Sequence, residues 1–172
     1  MTASDLVELY VLRHGEAGKR LHAGSKDSER ALTISGRAEV ESVAKALAKL
    51  NVNFDIVATS PLKRALQTAE ILAKSSKAKK GTVEEWEELK PEGDRQELYH
   101  RLSQLKQENT VLVVGHEPHL STMIGEIVFG ESANIVLKKA GLAKIAVSSF
   151  QPKLRGELKW LLTPKHLKKI AK

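Results

Sequence analysis

With 172 residues, 41% hydrophobic and 28% charged, the chain is long enough for a single globular domain, residues 1–172, with a sizeable core. It contains no cysteine, which excludes disulfide scaffolds, cysteinyl zinc or iron–sulfur sites and any thiolate nucleophile. The formal net charge of +7 admits an acidic partner, but residues 153–172 supply seven Lys or Arg against one acid, so the excess is mostly a property of the C-terminal end.

Asp5 and Glu8 stand where a secretory signal would carry basic and then apolar residues, and no stretch approaches the roughly 18 uncharged apolar residues of a membrane helix. The expectation is a cytoplasmic protein with no membrane partner. From Leu6 to Arg13, Val7, Leu9 and Val11 alternate with Glu8 and Tyr10, a first strand that stops at Gly15. A polar loop, 16–31, leads to a helix starting near Thr33 or Ser35, whose apolar face carries Val40, Val43, Leu47 and Leu50. Asp55 to Thr59 is a short β-prone run. Ser60 and Pro61 follow as N-cap and first residue of a helix reaching about Lys74.

Thr82 to Trp86 reads as a strand, Arg95 to Glu108 as a helix, and Thr110 to Val114 as a strand buried on both faces and ended by Gly115. Pro118 can open a helix through Phe129, and Leu142–Phe150 and Glu157–Leu162 are strands joined by a Pro/Gly-containing turn. Strands alternating with helical crossovers imply an α/β fold: a three-layer α/β/α arrangement, largely parallel, with helices on both faces and one antiparallel strand near the end. In such sheets, sites form at the carboxyl ends of strands.

Three strand ends carry chemistry. The first runs into Arg13-His14-Gly15-Glu16, the second into Ser60-Pro61-Leu62-Lys63-Arg64, and the third into Gly115-His116. Brought together, two arginines and two histidines suit a phosphoryl group, because each guanidinium presents a rigid fork of donors and a helix N-terminus adds backbone N–H groups. A neutral imidazole there can attack phosphorus in line, giving a phosphohistidine that water hydrolyses. His14 is the expected nucleophile, with Gly15 allowing close approach, and Arg13, Arg64 and His116 hold the phosphate. Flanking cations favour the neutral, attacking form of His14.

R-H-G-E at 13–16, S-P-L-K-R-A-L-Q-T-A at 60–69 and G-H at 115–116, in order and each at a strand end, resemble the histidine phosphatase superfamily, also called the phosphoglycerate mutase-like fold. L-T-x-x-G at 32–36 resembles the start of that family's first helix. The small size and the segment Glu88-Leu89-Lys90-Pro91-Glu92-Gly93-Asp94 look most like the SixA-type phosphohistidine phosphatases, which remove phosphate from histidine on phosphorelay proteins. The resemblance implies a phosphate core of Arg13, His14, Arg64 and His116, and it places Glu88 in the position of the general acid. It implies no cofactor and no metal, and a phosphorylated histidine domain or a small phosphorylated molecule as partner. The chain lacks the insertions by which mutases enclose phosphoglycerate.

Blander readings stand beside these. Arg64 alone would be a surface cation paired with Glu70, Ser60 a cap, and Glu16 either solvated or in contact with a leaving group. His116-Glu117-Pro118-His119 lacks the i, i+4 spacing of a zinc helix. His22, His100 and His166 read as surface residues, and Trp86 and Trp160 as packing residues. No nucleotide-cradling or serine-hydrolase motif occurs. The rivals are a general small-molecule phosphomonoesterase and, outside enzymology, a module binding acidic surfaces through the lysine-rich tail; no nucleic-acid partner is expected.

Overall fold

The computed structural model describes residues 6–19, 26–75, 83–105 and 110–172. Six strands form one sheet: β1 (Val7–Arg13), β2 (Ile56–Thr59), β3 (Val83–Glu85), β4 (Thr110–Gly115), β5 (Leu142–Ser149) and β6 (Arg155–Leu162). Their order across the sheet is β3-β2-β4-β1-β5-β6. The pairs β3–β2, β2–β4 and β4–β1 are parallel, whereas β5 runs antiparallel to both β1 and β6. The expected single antiparallel strand is therefore β5.

Alternation along the central strands divides the core into two layers. Val7, Leu9 and Val11 of β1, with Val111 and Val113 of β4, pack on one face with Leu98 and Leu102 of α3 (Arg95–Ser103) and Leu120, Met123 and Ile124 of α4 (His119–Phe129). Tyr10 and Leu12, with Leu112 and Val114, pack on the other with α1 (Ile34–Lys49), α2 (Lys63–Ser75) and α5 (Pro164–Ile170). Tyr10, which the sequence placed on a polar face, is buried: that face of β1 is covered by the second helical layer, and Tyr10 meets Phe54 and Trp160 edge-on.

Helix boundaries follow local chemistry. Thr33 is the N-cap of α1, its hydroxyl accepting from the Gly36 N–H at 2.9 Å. Leu50, expected on the apolar face of α1, is the exposed C-cap, because the helix ends before that face closes on the core. α2 begins two residues later than Pro61, and Asp94 caps α3 through the Gln96 and Glu97 N–H groups. Trp86 is buried in the first core layer, and Trp160 meets Tyr10 edge-on at 5.8 Å between centroids.

The main departure from the sequence reading is the lysine-rich end. β6 is a strand of the sheet, and α5 lies on α1 with Leu167 fully buried among Val40, Val43 and Leu47. It is folded structure and not a tail. Its lysines, 165, 168, 169 and 172, are exposed, as a one-faced helix requires. No helix among the described residues is long and apolar enough to cross a membrane.

Candidate functional site

The strand order places β4 between β2 and β1, which brings three carboxyl ends side by side. The ladder continues past each end, with the His14 N–H donating to the Gly115 carbonyl at 3.1 Å and the Ser60 N–H to the Val114 carbonyl at 2.9 Å. His14, Ser60 and His116 are thereby set in a row, and Arg64 follows from the first turn of α2. His14, Arg64 and His116 are only 7%, 4% and 2% exposed. The two imidazoles lie 4.9 Å apart between ring centroids.

Two hydrogen bonds set the state of His14. Its Nδ1 is 2.6 Å from the carbonyl oxygen of Gly15, which can only accept, so Nδ1 carries the proton. The Arg64 Nε–H donates to His14 Nε2 at 3.2 Å, so Nε2 is a lone pair. Burial first of all, and then the neighbouring Arg64, Arg13 and Arg30 charges, push the ring down to about 4, although the Gly15 carbonyl opposes the shift. The ring is neutral at physiological pH, with its free lone pair facing a guanidinium.

His116 is likewise pushed down, to about 3, by burial and then by His14 and Arg64. Its Nε2 lies 2.9 Å from Ser60 Oγ. That hydroxyl accepts the Leu62 N–H at 3.3 Å and can donate its own proton to Nε2, the tautomer that carries the ring proton of His116 on Nδ1. Among the described residues, His116 Nδ1 and Arg13 Nε are buried side-chain nitrogens with no hydrogen-bond partner. Buried donors are seldom left unpaired, and a ligand oxygen is one way to complete them. Arg13 is otherwise tied by its Nη1 to the Leu137 carbonyl at 3.0 Å.

Arg64 is not a surface cation and does not pair with Glu70. Its Nη2 contacts Asp27 Oδ2 at 3.0 Å and its Nη1 the Asp27 carbonyl at 2.9 Å, and Asp27 also receives Arg30 Nε at 2.8 Å. Burial would raise the Asp27 carboxyl, but Arg64 and Arg30 outweigh it and hold the group below its usual range. Nothing in the local sequence marked Asp27 or Arg30, because Asp27 meets Arg64 from 37 positions away along the chain. Thr68 was also missed as a support: its hydroxyl accepts the Gly15 N–H at 3.2 Å and donates to the Arg64 carbonyl at 2.7 Å, bracing the loop that carries His14 against α2.

Glu88 lies in a single 3-10 turn, Glu87–Leu89, and its half-buried carboxylate meets Arg101 Nη1 at 3.3 Å. Arg101 also lies 4.3 Å over the Trp86 ring. The turn borders the site, since a Cβ on Gly115 would sit 3.1 Å from the Leu89 carbonyl, but the carboxylate is directed to α3 and contacts none of the other four residues. Glu16 accepts from Ser35 Oγ at 2.8 Å and Thr33 Oγ1 at 3.2 Å, fixing the loop to the start of α1. His119 is buried, tied by Nε2 to the Gly93 carbonyl at 3.2 Å. His100 and His166 are exposed, and His22 lies outside the described residues. Among the described residues no group of three or more His, Asp or Glu side chains could hold a metal ion.

A neutral imidazole nitrogen, a buried guanidinium and unpaired donors at the carboxyl edge of a parallel sheet can hold a tetrahedral oxyanion and offer it a nucleophile. That is the equipment of a phosphoryl-transfer enzyme on an α/β fold. The model of the histidine phosphatase superfamily (branch 1) matches residues 9–93. The phosphohistidine phosphatase SixA of Escherichia coli is 30% identical over 164 residues, covering 94% of this chain and 97% of that protein, and an uncharacterized Picosynechococcus protein is 34% identical over 166 residues, 94% and 99%. A solved structure of SixA complexed with tungstate superposes with a TM-score of 0.81 at 30% identity, over 94% of this chain and all of that one. The chain belongs to the histidine phosphatase superfamily and is by class a phosphatase.

Proposed function

We propose that this protein hydrolyses phosphohistidine on phosphorelay proteins through a covalent phosphohistidine intermediate on His14. The observation that carries the reading is the hydrogen-bonding state of His14: Nδ1–H held by the Gly15 carbonyl, Nε2 unprotonated in front of Arg64. Similarity to SixA, a phosphohistidine phosphatase that has been crystallised with the oxyanion tungstate, supports the substrate.

In this reading the phosphoryl group takes over the donors that now serve other partners or none. The Arg64 Nε–H leaves His14 Nε2 for a phosphoryl oxygen, which frees the lone pair, while Arg13 Nε–H and His116 Nδ1–H receive the acceptor they lack. His14 Nε2 attacks phosphorus in line as the P–N bond to the substrate imidazole breaks; the leaving nitrogen keeps the electron pair and takes a proton. Water then attacks the phosphohistidine, releasing inorganic phosphate and returning the lone pair to His14. Asp27 orients Arg64 and does not itself touch the phosphate.

The test is turnover of a phosphorylated histidine-containing phosphotransfer domain beside a panel of small phosphomonoesters, with His14→Ala as control. Release of phosphate from the protein, lost in the variant, with label trapped on His14 in the wild type, is the expected result. Turnover confined to small esters would replace the proposal with a general phosphomonoesterase, and full activity in the variant would end the mechanism.

A further inference from the structure

Beside the site runs a groove of about 430 Å³ lined by Arg13, Glu16, Ser35, Gly36, Glu39, Lys138, Lys139 and Pro164. Its three walls are the first turn of α1, the 137–141 segment and the start of α5. Arg13 connects it to the phosphate core, since its guanidinium lines the groove while its Nη1 is tied to the Leu137 carbonyl. The lysine-rich end of the chain, which the phosphate chemistry does not use, is therefore folded onto the rim of the candidate site.

We propose that Lys138, Lys139, Lys165 and Lys168, with Ile34 and Val136, form the docking surface for an acidic phosphohistidine protein. The inference rests on the phosphatase reading above and names the surface by which that substrate is held.

Charge is the first support. The electrostatic influence of Lys139 and Lys168 reaches Glu39 in the groove, which brings one cation of the 137–141 segment and one of α5 to the same spot. The lining carries three cations, Arg13, Lys138 and Lys139, against two acids, Glu16 and Glu39, and Lys168 adds to that positive excess. Residues 153–172 alone contribute +6 of the +7 formal charge. Such a rim steers an acidic partner and raises its association rate, which a free phosphate ester has little need of.

Apolar exposure is the second. Ile34 at the first position of α1 is 92% exposed, and Val136, next to the Leu137 that binds Arg13, is 75% exposed. Each stands one residue from a group that shapes the groove or its arginine. Isolated exposed aliphatics need no explanation, but one in each of the two segments that also supply Ser35 and Lys138 to the groove gives a protein surface apolar contact near the cationic rim. A duplex nucleic acid would use the lysines and gain little from the aliphatics, so a protein is the occupant the surface fits.

The experiment measures kcat/KM on a phosphorylated, acidic histidine-containing phosphotransfer domain and on phosphoramidate, at 50 and 300 mM salt, with wild type, K138E/K139E and K165E/K168E, each checked by thermal melt. On the protein substrate each double variant should fall at least about tenfold at low salt, and the wild type should lose rate as salt rises. On phosphoramidate all three should agree within about twofold. Equal losses on both substrates, or no loss on the protein, would overturn the docking surface. So would wild-type protein turnover in variants that have lost affinity for a DNA duplex. If the wild type turns over neither substrate, the phosphatase reading itself fails, which the phosphoramidate arm reports independently.

Discussion

At the scale of single residues, the proposed mechanism depends on groups that hold His14 and Arg64 in one state. Asp27 engages two edges of the Arg64 guanidinium while the third faces His14. Asp27→Asn keeps the shape but removes the charge, so the fork loses one charge-assisted bond and its orientation; turnover should fall roughly 10-fold to 100-fold with little change in thermal stability, because the pair is partly exposed. Steady-state kinetics beside a melting curve check this. Arg64→Ala should be far worse, by about 3 kcal/mol or more of barrier, since it removes the proposed phosphate contact itself. Glu88 separates two chemistries. An alkyl phosphate leaves as a poor alkoxide unless an acid protonates it, a contribution of about 10²–10⁴-fold, whereas phosphohistidine can be protonated by solvent before the P–N bond breaks. With its carboxylate held by Arg101, Glu88 must rotate to serve as acid. Glu88→Gln should therefore impair alkyl phosphate hydrolysis strongly and phosphohistidine turnover only slightly; severe, equal losses would make it a support of the 86–94 turn instead.

At the scale of elements, the loop that carries His14 is fitted against α1 so closely that one glycine is obligatory. A Cβ at Gly36 would lie 2.2 Å from the Glu16 carbonyl oxygen and 2.9 Å from the Glu16 N. Helix propensity favours Gly→Ala by about 1 kcal/mol. The contact is with backbone, which cannot swing aside as a flexible side chain would, so the clash outweighs propensity. Gly36→Ala should lower stability by about 2 kcal/mol or more and cut turnover through displacement of the 14–17 loop, read by denaturant melts and kcat on a small phosphate. This also gives the L-T-x-x-G stretch its physical content: Thr33 caps α1, the Leu32 N–H donates to Gln67 of α2 at 2.8 Å, and Gly36 admits the 14–17 loop.

For the whole molecule, the two buried neutral imidazoles tie stability to pH. In the unfolded chain each titrates near 6.5, whereas in the fold His14 titrates near 4 and His116 near 3. As pH falls below 6.5 the unfolded state binds protons that the native state does not, so stability declines from there down to the folded values and levels off below them. The combined loss should exceed about 3 kcal/mol, and a saturating oxyanion that binds only the native site should oppose it by mass action. Denaturant melts from pH 7.5 to 4 check the slope, and His116→Gln should flatten it. A slope unchanged in that variant would assign the acid sensitivity to other groups.

The sequence by itself determined the element order as far as β6, the three strand ends and the residues on them, because period-2 and period-3.6 patterns and the Thr33 and Ser60 signals are local and agree with one another. It also located Arg13, His14 and His116 at the carboxyl ends of strands and Arg64 at a helix start, where motif and position coincide. Other features were decided only when the chain closed on itself. Tyr10 looked polar until the second helical layer, Phe54 and Trp160 closed over its face of β1, and the lysine-rich end looked like a solvated tail although Leu167 and Trp160 are among its packed residues. Asp27 and Thr68 reach their partners across 37 and 53 positions of chain, and Glu88 is drawn to Arg101 on α3. Contacts of that span have no periodicity to read; they exist because the sheet order β2-β4-β1 sets the walls of the site, and packing alone fixes which loop falls against which wall.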